Sequence, residues 1–221
     1  MEPRGYTWWY LDALSDDGSY GITLIGFIGS VFSPYYAWSD WREPEDHVAM
    51  NVALYGKFGR WAMTERGRHS LQRDGDHLQI GPSSMRWESD GLTISVDEIS
   101  CPLPRKLRGR IRVRPHWTNP LGFAIRPEHN WWPFSPSSRV EVELDEPALR
   151  WSGHGYLDSN WGSEPLQEGF THWNWSRTGD ERETYIHYDC HCPDGSSPSL
   201  ALRFDALGRA EKIDAAPLHG L

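Results

Sequence analysis

Apolar and polar positions alternate with a period of two along much of the chain. Val140, Val142 and Leu144 interleave with Arg139, Glu141 and Glu143, and Leu107 to Val113 alternates apolar with basic side chains. Such alternation places one set of side chains on each face of a half-buried strand. Tyr20 to Phe32 is a longer apolar run, His47 to Tyr55 a second, and Leu200 to Phe204 a third, preceded by an Asp194-Gly195 turn. Trp87-Glu88, Asp90-Gly91 and Leu92 to Ile99 predict a hairpin closed by a type I′ turn. Trp173, Trp175, Tyr185 and Tyr188 fall on later strands. No long stretch sustains a 3.6-residue period, and 16 Pro and 21 Gly punctuate the chain. The pattern predicts an all-β protein of short strands in a barrel or sandwich. Glu146-Pro147 marks a seam between an N-terminal β domain, residues 1–147, and a C-terminal one, residues 148–221, which is short for a closed barrel.

Composition sharpens this picture. Thirteen of the 221 residues are Trp, so the apolar surface is concentrated in large flat rings. Such rings build cores and also line pockets for flat or polyene ligands. A formal charge of -9 argues against a nucleic-acid partner, which selects a basic stripe. The longest apolar run, Ile22 to Phe32, is broken by Gly26 and Gly29 and falls short of a membrane-spanning helix. No secretory signal opens the chain, and three cysteines make no disulfide framework, so a reducing cytoplasm is expected. Cys190-His191-Cys192 with His187 invites a metal reading, but strand alternation separates neighbouring side chains onto opposite faces, and no metal is expected.

Three clusters carry candidate chemistry. Trp8 to Leu14 is either a first strand with core rings or a pocket wall, with Trp9, Tyr10 and Asp12 as candidate lining. Gly29 to Trp38 ends an apolar strand in a ring-bearing turn with Tyr35 and Tyr36, which either plugs a barrel end or lines a mouth. On the following strand His47, Ala49 and Asn51 share a face, and an inward polar pair requires hydrogen bonds or a water. The densest cluster is Trp151 to Gly162. Asp158 and Asn160 lie two apart and share a face of a strand, His154 stands between two glycines, and Tyr156, Trp161, Trp173 and Trp175 supply rings. Asp158 reads either as a turn residue capping its own backbone or as a carboxyl raised in pKa by desolvation. A carboxyl kept protonated among rings suits protonation of an isolated alkene. Ring faces attract the resulting cation, and a water held by Asn, His or Tyr traps it, with no metal or organic cofactor.

These segments resemble the carotenoid 1,2-hydratase family, also called hydroxyneurosporene synthase or CrtC. The resemblance is carried by WWYLDALSDDGSYGITLIGFIGSVFSPYYAW (Trp8 to Trp38), HVAMNVALYG (His47 to Gly56), RWAMTERG (Arg60 to Gly67), WWPFSPSSRVEVEL (Trp131 to Leu144) and GHGYLDSNWGSEPLQEGFTHWNWSR (Gly153 to Arg177). It covers nearly the whole chain in order. It implies two lipocalin-like antiparallel β-barrel halves with a pocket at their junction, the second half incomplete here because family chains usually continue further. It implies cofactor-independent addition of water to the terminal C1–C2 double bond of an acyclic carotene such as neurosporene or lycopene. It also implies a cytoplasmic protein peripheral to the inner photosynthetic membrane.

The family's acid is an aspartate, which by motif falls on Asp158. His154 or Asn160 would then place the water, and Trp9, Tyr36, Trp161 and Trp175 would shield the cation. Two other readings stand beside this one: a cofactor-free cyclase that folds a polyene, and a non-catalytic isoprenoid carrier. The rings from Phe32 to Trp41 form a candidate patch for contact with lipid.

Overall fold

The computed structural model describes residues 1–215. Among these residues sixteen strands carry the fold: β1 (Tyr6–Ser15), β2 (Gly21–Ile28), β3 (Val48–Tyr55), β4 (Arg60–Arg66), β5 (Leu71–Arg73), β6 (His77–Ile80), β7 (Ser83–Glu88), β8 (Gly91–Ile99), β9 (Lys106–Trp117), β10 (Phe123–Arg126), β11 (His129–Glu146), β12 (Leu149–Gly162), β13 (His172–Gly179), β14 (Thr184–His191), β15 (Ser199–Phe204) and β16 (Ala210–Lys212). The helical pieces are short, the longer ones being α1 (Pro34–Trp38) and α2 (Leu166–Gly169). No described helix is long and apolar enough to cross a membrane.

Strands β1 to β12 form one antiparallel sheet in the order β4-β3-β2-β1-β12-β11-β9-β8-β7-β6-β5, with β10 added beside β11. Strands β13 to β16 form a second sheet of consecutive hairpins. The larger sheet curls, so that its edge β4 meets the turn after β8, where Cys101 N–H donates to the Trp61 carbonyl at 2.8 Å. Inside the curl lie Leu11, Leu24, Val52, Ile94, Ile111 and Val142, all fully buried. Each such side chain stabilises the fold by roughly 2 kcal/mol relative to exposure. The second sheet packs on the outer face, where Tyr6, Trp8, Phe27, Trp131 and Tyr156 meet Ile186, Tyr188 and Leu202. Strand β1 is therefore covered on both sides, which is why it can carry Trp8, Trp9 and Tyr10 in succession.

The alternating runs become strands as expected, giving the all-β, half-barrel architecture. Two local expectations change. The Trp87 hairpin forms, but Glu88 pairs with Gly91, so Ser89 and Asp90 are the turn residues. Neither is among the positive-φ residues that a type I′ turn demands at both positions. The ring-bearing segment after β2 is a single helical turn rather than a turn alone: Pro34 opens it, and the Ser33 hydroxyl accepts from the Tyr35 and Tyr36 backbone N–H groups. Glu146-Pro147 occupies the turn joining β11 to β12, both strands of the larger sheet, and the change of sheet comes after Gly162.

Candidate active site

The register of β1 against β12 sets Trp8 opposite Asn160, Tyr10 opposite Asp158 and Asp12 opposite Tyr156. Being spaced by two, these side chains share the outer face. There Trp173 and Trp175 of β13 close over them, and a cavity of about 150 Å3 remains between the sheets. Tyr10 lies 5.8 Å from the Trp175 ring, which in turn lies 5.1 Å from Tyr156.

Asp158 lines this cavity and is only 4% exposed. One carboxyl oxygen accepts from Trp131 Nε1 at 2.9 Å and from the Tyr156 hydroxyl at 2.8 Å. The other accepts from Asn160 Nδ2 at 3.0 Å. Burial pushes the carboxyl up to about 7, against the pull of the three donors; the charge of Asp12 adds to the rise. Trp131 Nε1 and Asn160 Nδ2 can only donate, and the Tyr156 hydroxyl also accepts from Trp131 Nε1 at 3.2 Å. Near neutral pH a substantial fraction of Asp158 therefore carries its proton, and the residue lines the cavity. Tyr156 is fully buried and its pKa lies well above the ordinary range for the same reason, so it stays a donor at neutral pH. The charge of Asp12 is balanced by Arg177 of β13, whose Nε donates at 2.9 Å and whose guanidinium lies 5.6 Å over the Tyr156 ring.

Of the residues singled out from the sequence, Tyr10, Asp12, Tyr156, Asp158, Asn160, Trp173 and Trp175 converge here. The others do not. Trp9 points to the opposite face of β1, into a separate cavity of about 390 Å3 with Leu78, Met85, Trp87 and Phe134, whose lining also includes Arg73, Asp74, Asp76 and His77. That cavity is larger, but it has no buried acid. His154 shares the Asp158 face yet stands four residues along β12, about 13 Å away at the rise of a strand. It lies beside Asp16, at 3.7 Å, and the His116 ring. Trp161 is odd-numbered, faces the other way and is 39% exposed. Tyr35 is on the surface, while Tyr36 is buried and donates to the Gly5 carbonyl. His47 packs against Tyr36 and pairs with Glu65. Asn51 is occupied by the Trp61 indole N–H at 2.6 Å. Alternation displaces Trp9 and Trp161 onto the opposite face, distance along the strand displaces His154, and the helical turn after β2 carries Tyr35 and Tyr36 away.

Sequence reasoning passed over Trp8, Trp131, Arg177 and Tyr188. Trp8 was legible, because it continues the Tyr10–Asp12 row by two. Trp131 reaches Asp158 only through the pairing of β11 with β12, opposite Asn160. A second buried chain supports Trp8 from below. Tyr6 stacks on it at 4.9 Å, and the Tyr6 hydroxyl meets His129 Nδ1 at 2.7 Å while His129 Nε2 meets Glu164 at 2.9 Å. Cys190 and Cys192 point into the core between the sheets, while His191 stacks on His172. The described residues contain no cluster of three or more His, Cys, Asp or Glu side chains placed to hold a metal.

The profile of the carotenoid hydratase CrtC family matches residues 24–221. The acyclic carotenoid 1,2-hydratase of Thiocapsa roseopersicina is 54% identical over 98% of this chain and 55% of its own length. That of Cereibacter sphaeroides is 42% identical over 88% of this chain and 70% of its own. This chain thus spans little more than half the length of the first of these relatives. Among solved structures, kievitone hydratase from Nectria haematococca superposes with a TM-score of 0.60 over 96% of this chain and 65% of its own, at 11% identity. At that identity the likeness concerns the fold.

Proposed function

Because the chain belongs to the carotenoid hydratase CrtC family, we propose that it hydrates the terminal C1–C2 double bond of an acyclic carotene, with Asp158 as the acid. The observation that carries this reading is a carboxyl held up to about 7 by burial, lining a ring-walled cavity between two sheets. An apolar cavity of about 150 Å3 takes a benzene-sized group. It therefore fits one terminal isoprene unit rather than a whole polyene.

In this scheme the Asp158 proton passes to C2, the alkene π pair forms the new C–H bond, and a tertiary cation is left at C1. The faces of Trp8, Tyr10, Trp173 and Trp175 stabilise that cation, each by roughly 0.5–2 kcal/mol when dry. The new Asp158 carboxylate is stabilised at once by the N–H and O–H groups of Trp131, Tyr156 and Asn160. Water adds to C1 and its spare proton returns to Asp158, so the acid is regenerated and no redox change occurs. Asn160, the polar neighbour of Asp158 in the cavity, orients the water. The substrate dissolves in a membrane, and the protein would work at its surface.

The test is incubation of folded protein with lycopene or neurosporene in detergent, with product mass followed. A product heavier by one water supports the reading, and unchanged substrate refutes it. Asp158→Asn should abolish turnover while the protein stays folded.

A further inference from the structure

The ends of two neighbouring hairpins form a surface unlike the rest of this acidic chain. Residues 53–61 at the β3–β4 turn and 99–106 at the β8–β9 turn contain Lys57, Arg60, Arg105 and Lys106 and no Asp or Glu. The two ends are joined by the Cys101–Trp61 backbone hydrogen bond and by Arg60, which donates to the Lys106 carbonyl. Among the described residues none of the four cations takes part in an ion pair. The nearby Arg108 is engaged by Asp145 and Glu146. Between the cations, Tyr55 is 55% exposed, Trp61 47%, Ile99 47% and Leu103 64%. Large apolar side chains left in water beside unpaired cations are the composition of a membrane-interface anchor. Tyr and Trp sit at headgroup depth, Leu and Ile enter the acyl boundary, and Lys and Arg meet lipid phosphates.

We propose that these two hairpin ends dock the protein on an anionic lipid bilayer. The commitment to anionic lipid follows from charge complementarity: a chain of formal charge -9 is repelled by such a surface on the whole, whereas these two ends combine four unpaired cations with exposed rings and no acid. The surface is also continuous with the site. Trp61 donates to Asn51, Asn51 pairs with Ile25, and Ile25 lines the cavity of Asp158. A polyene leaving the bilayer at Trp61 would travel along this row with its terminus leading. The inference deepens the hydratase reading and rests on it only for the reason a lipid surface is visited. It departs from the Phe32–Trp41 segment as the lipid contact, because Asp40 lies in that stretch and Glu43, Glu45 and Asp46 follow it directly.

The test is co-sedimentation of the full chain with vesicles of phosphatidylcholine alone or mixed with phosphatidylglycerol, at low and high salt. Wild type should bind the mixed vesicles, bind neutral ones weakly, and be released by salt. Neutralising Lys57→Gln, Arg60→Gln, Arg105→Gln and Lys106→Gln should weaken binding about five-fold for each cation removed. Leu103→Ser should weaken binding to both kinds of vesicle. Absence of wild-type binding to mixed vesicles would overturn the proposal. So would undiminished binding by the folded quadruple variant, or loss of binding on changing Phe32 and Trp38 alone. Turnover of the quadruple variant in detergent micelles is measured in parallel. It reports on Asp158 without docking, so failure of the catalytic reading and failure of the surface are told apart.

Discussion

Arg177 of β13 forks onto Asp12 of β1 and lies over the ring of Tyr156, tying the second sheet to the first beside the buried acid. Both partners of this pair are largely buried, at 16% and 18% side-chain exposure. Removing one leaves the other desolvated and unopposed. Arg177→Met should therefore destabilise the protein by about 3 kcal/mol, measured by urea denaturation. An effect below ~1 kcal/mol would mean that water reaches Asp12 and that the sheets are held together by ring packing alone.

The same pair bears on the acid. The negative charge of Asp12 raises Asp158, whereas the Tyr156 hydroxyl lowers it by donating to the carboxylate. Asp12→Asn should then move the Asp158 titration below its value of about 7, and Tyr156→Phe should move it above. The fraction of enzyme in the proton-donating form at neutral pH falls in the first variant and rises in the second. Carboxyl-carbon NMR of Asp158 against pH checks both directions without substrate. Shifts of the same sign in the two variants would contradict the arrangement described.

Burial of Asp158 also sets how stability depends on pH. The folded protein holds the Asp158 proton up to about pH 7, while the unfolded chain releases it near 3.8. Between these values the unfolded state binds fewer protons, so the Asp158 contribution to stability falls as pH rises and levels off above 7. The Asp158→Asn side chain cannot ionise and can still accept from Trp131 and Tyr156, and turning the Asn160 amide lets its oxygen accept from the new NH2 group. Relative to wild type it should gain stability on the order of 4 kcal/mol at pH 8 and nothing comparable at pH 4. Thermal melts at the two pH values decide this. A variant equally or less stable than wild type at pH 8 would show that the carboxyl is solvated.

Much of this was readable in the residues, and the limit has a physical cause. A period of two fixes which side chains share a face, so Asp158 with Asn160 and Trp173 with Trp175 could be grouped directly. It does not say which face meets which layer. Trp9 and Tyr10 are both rings on one strand, yet one lines the interior of the curl and the other the cavity of Asp158. His154, flanked by glycines, looked like a catalytic group, although the glycines serve the backbone. Trp131 and Arg177 arrive through long-range strand pairing and packing between sheets, which local spacing does not encode.

The two faces of β1 give a sharp contrast. Trp9→Phe alters only the cavity inside the curl, 390 Å3 in size and without a buried acid. Tyr10→Ala removes a ring that stands opposite Asp158 and touches Tyr156 and Trp175. Cation stabilisation by one ring is worth roughly 0.5–2 kcal/mol when dry, so the Tyr10 variant should lose about two- to thirty-fold in kcat. Trp9→Phe should leave kcat unchanged. Parallel turnover assays in detergent measure both, and a larger loss from Trp9 would move the chemistry to the other face of the strand.

Gly153 and Gly155 flank His154 because β1 and β11 pass too close for a side chain. A Cβ at Gly153 would lie 1.8 Å from the Leu14 carbonyl oxygen, and one at Gly155 would lie 2.4 Å from a Val140 methyl. The first obstacle is backbone at the end of the β1–β12 pairing, where Gly153 stands opposite Ser15, and it cannot swing aside. The second is a methyl of the buried, β-branched Val140, with the Asp12 carbonyl oxygen at 3.0 Å, so it yields only in part. Gly153→Ala should accordingly cost about 3 kcal/mol or more and Gly155→Ala less, compared by urea midpoint. The difference matters for function, since Asp158 is positioned by the register that Gly153 protects. The Gly153 variant should also lose the elevated Asp158 titration, whereas Gly155→Ala should retain it. If Gly153→Ala folds with wild-type stability, the β1–β12 pairing is looser than the register described, and the placement of Tyr10 opposite Asp158 would fall with it.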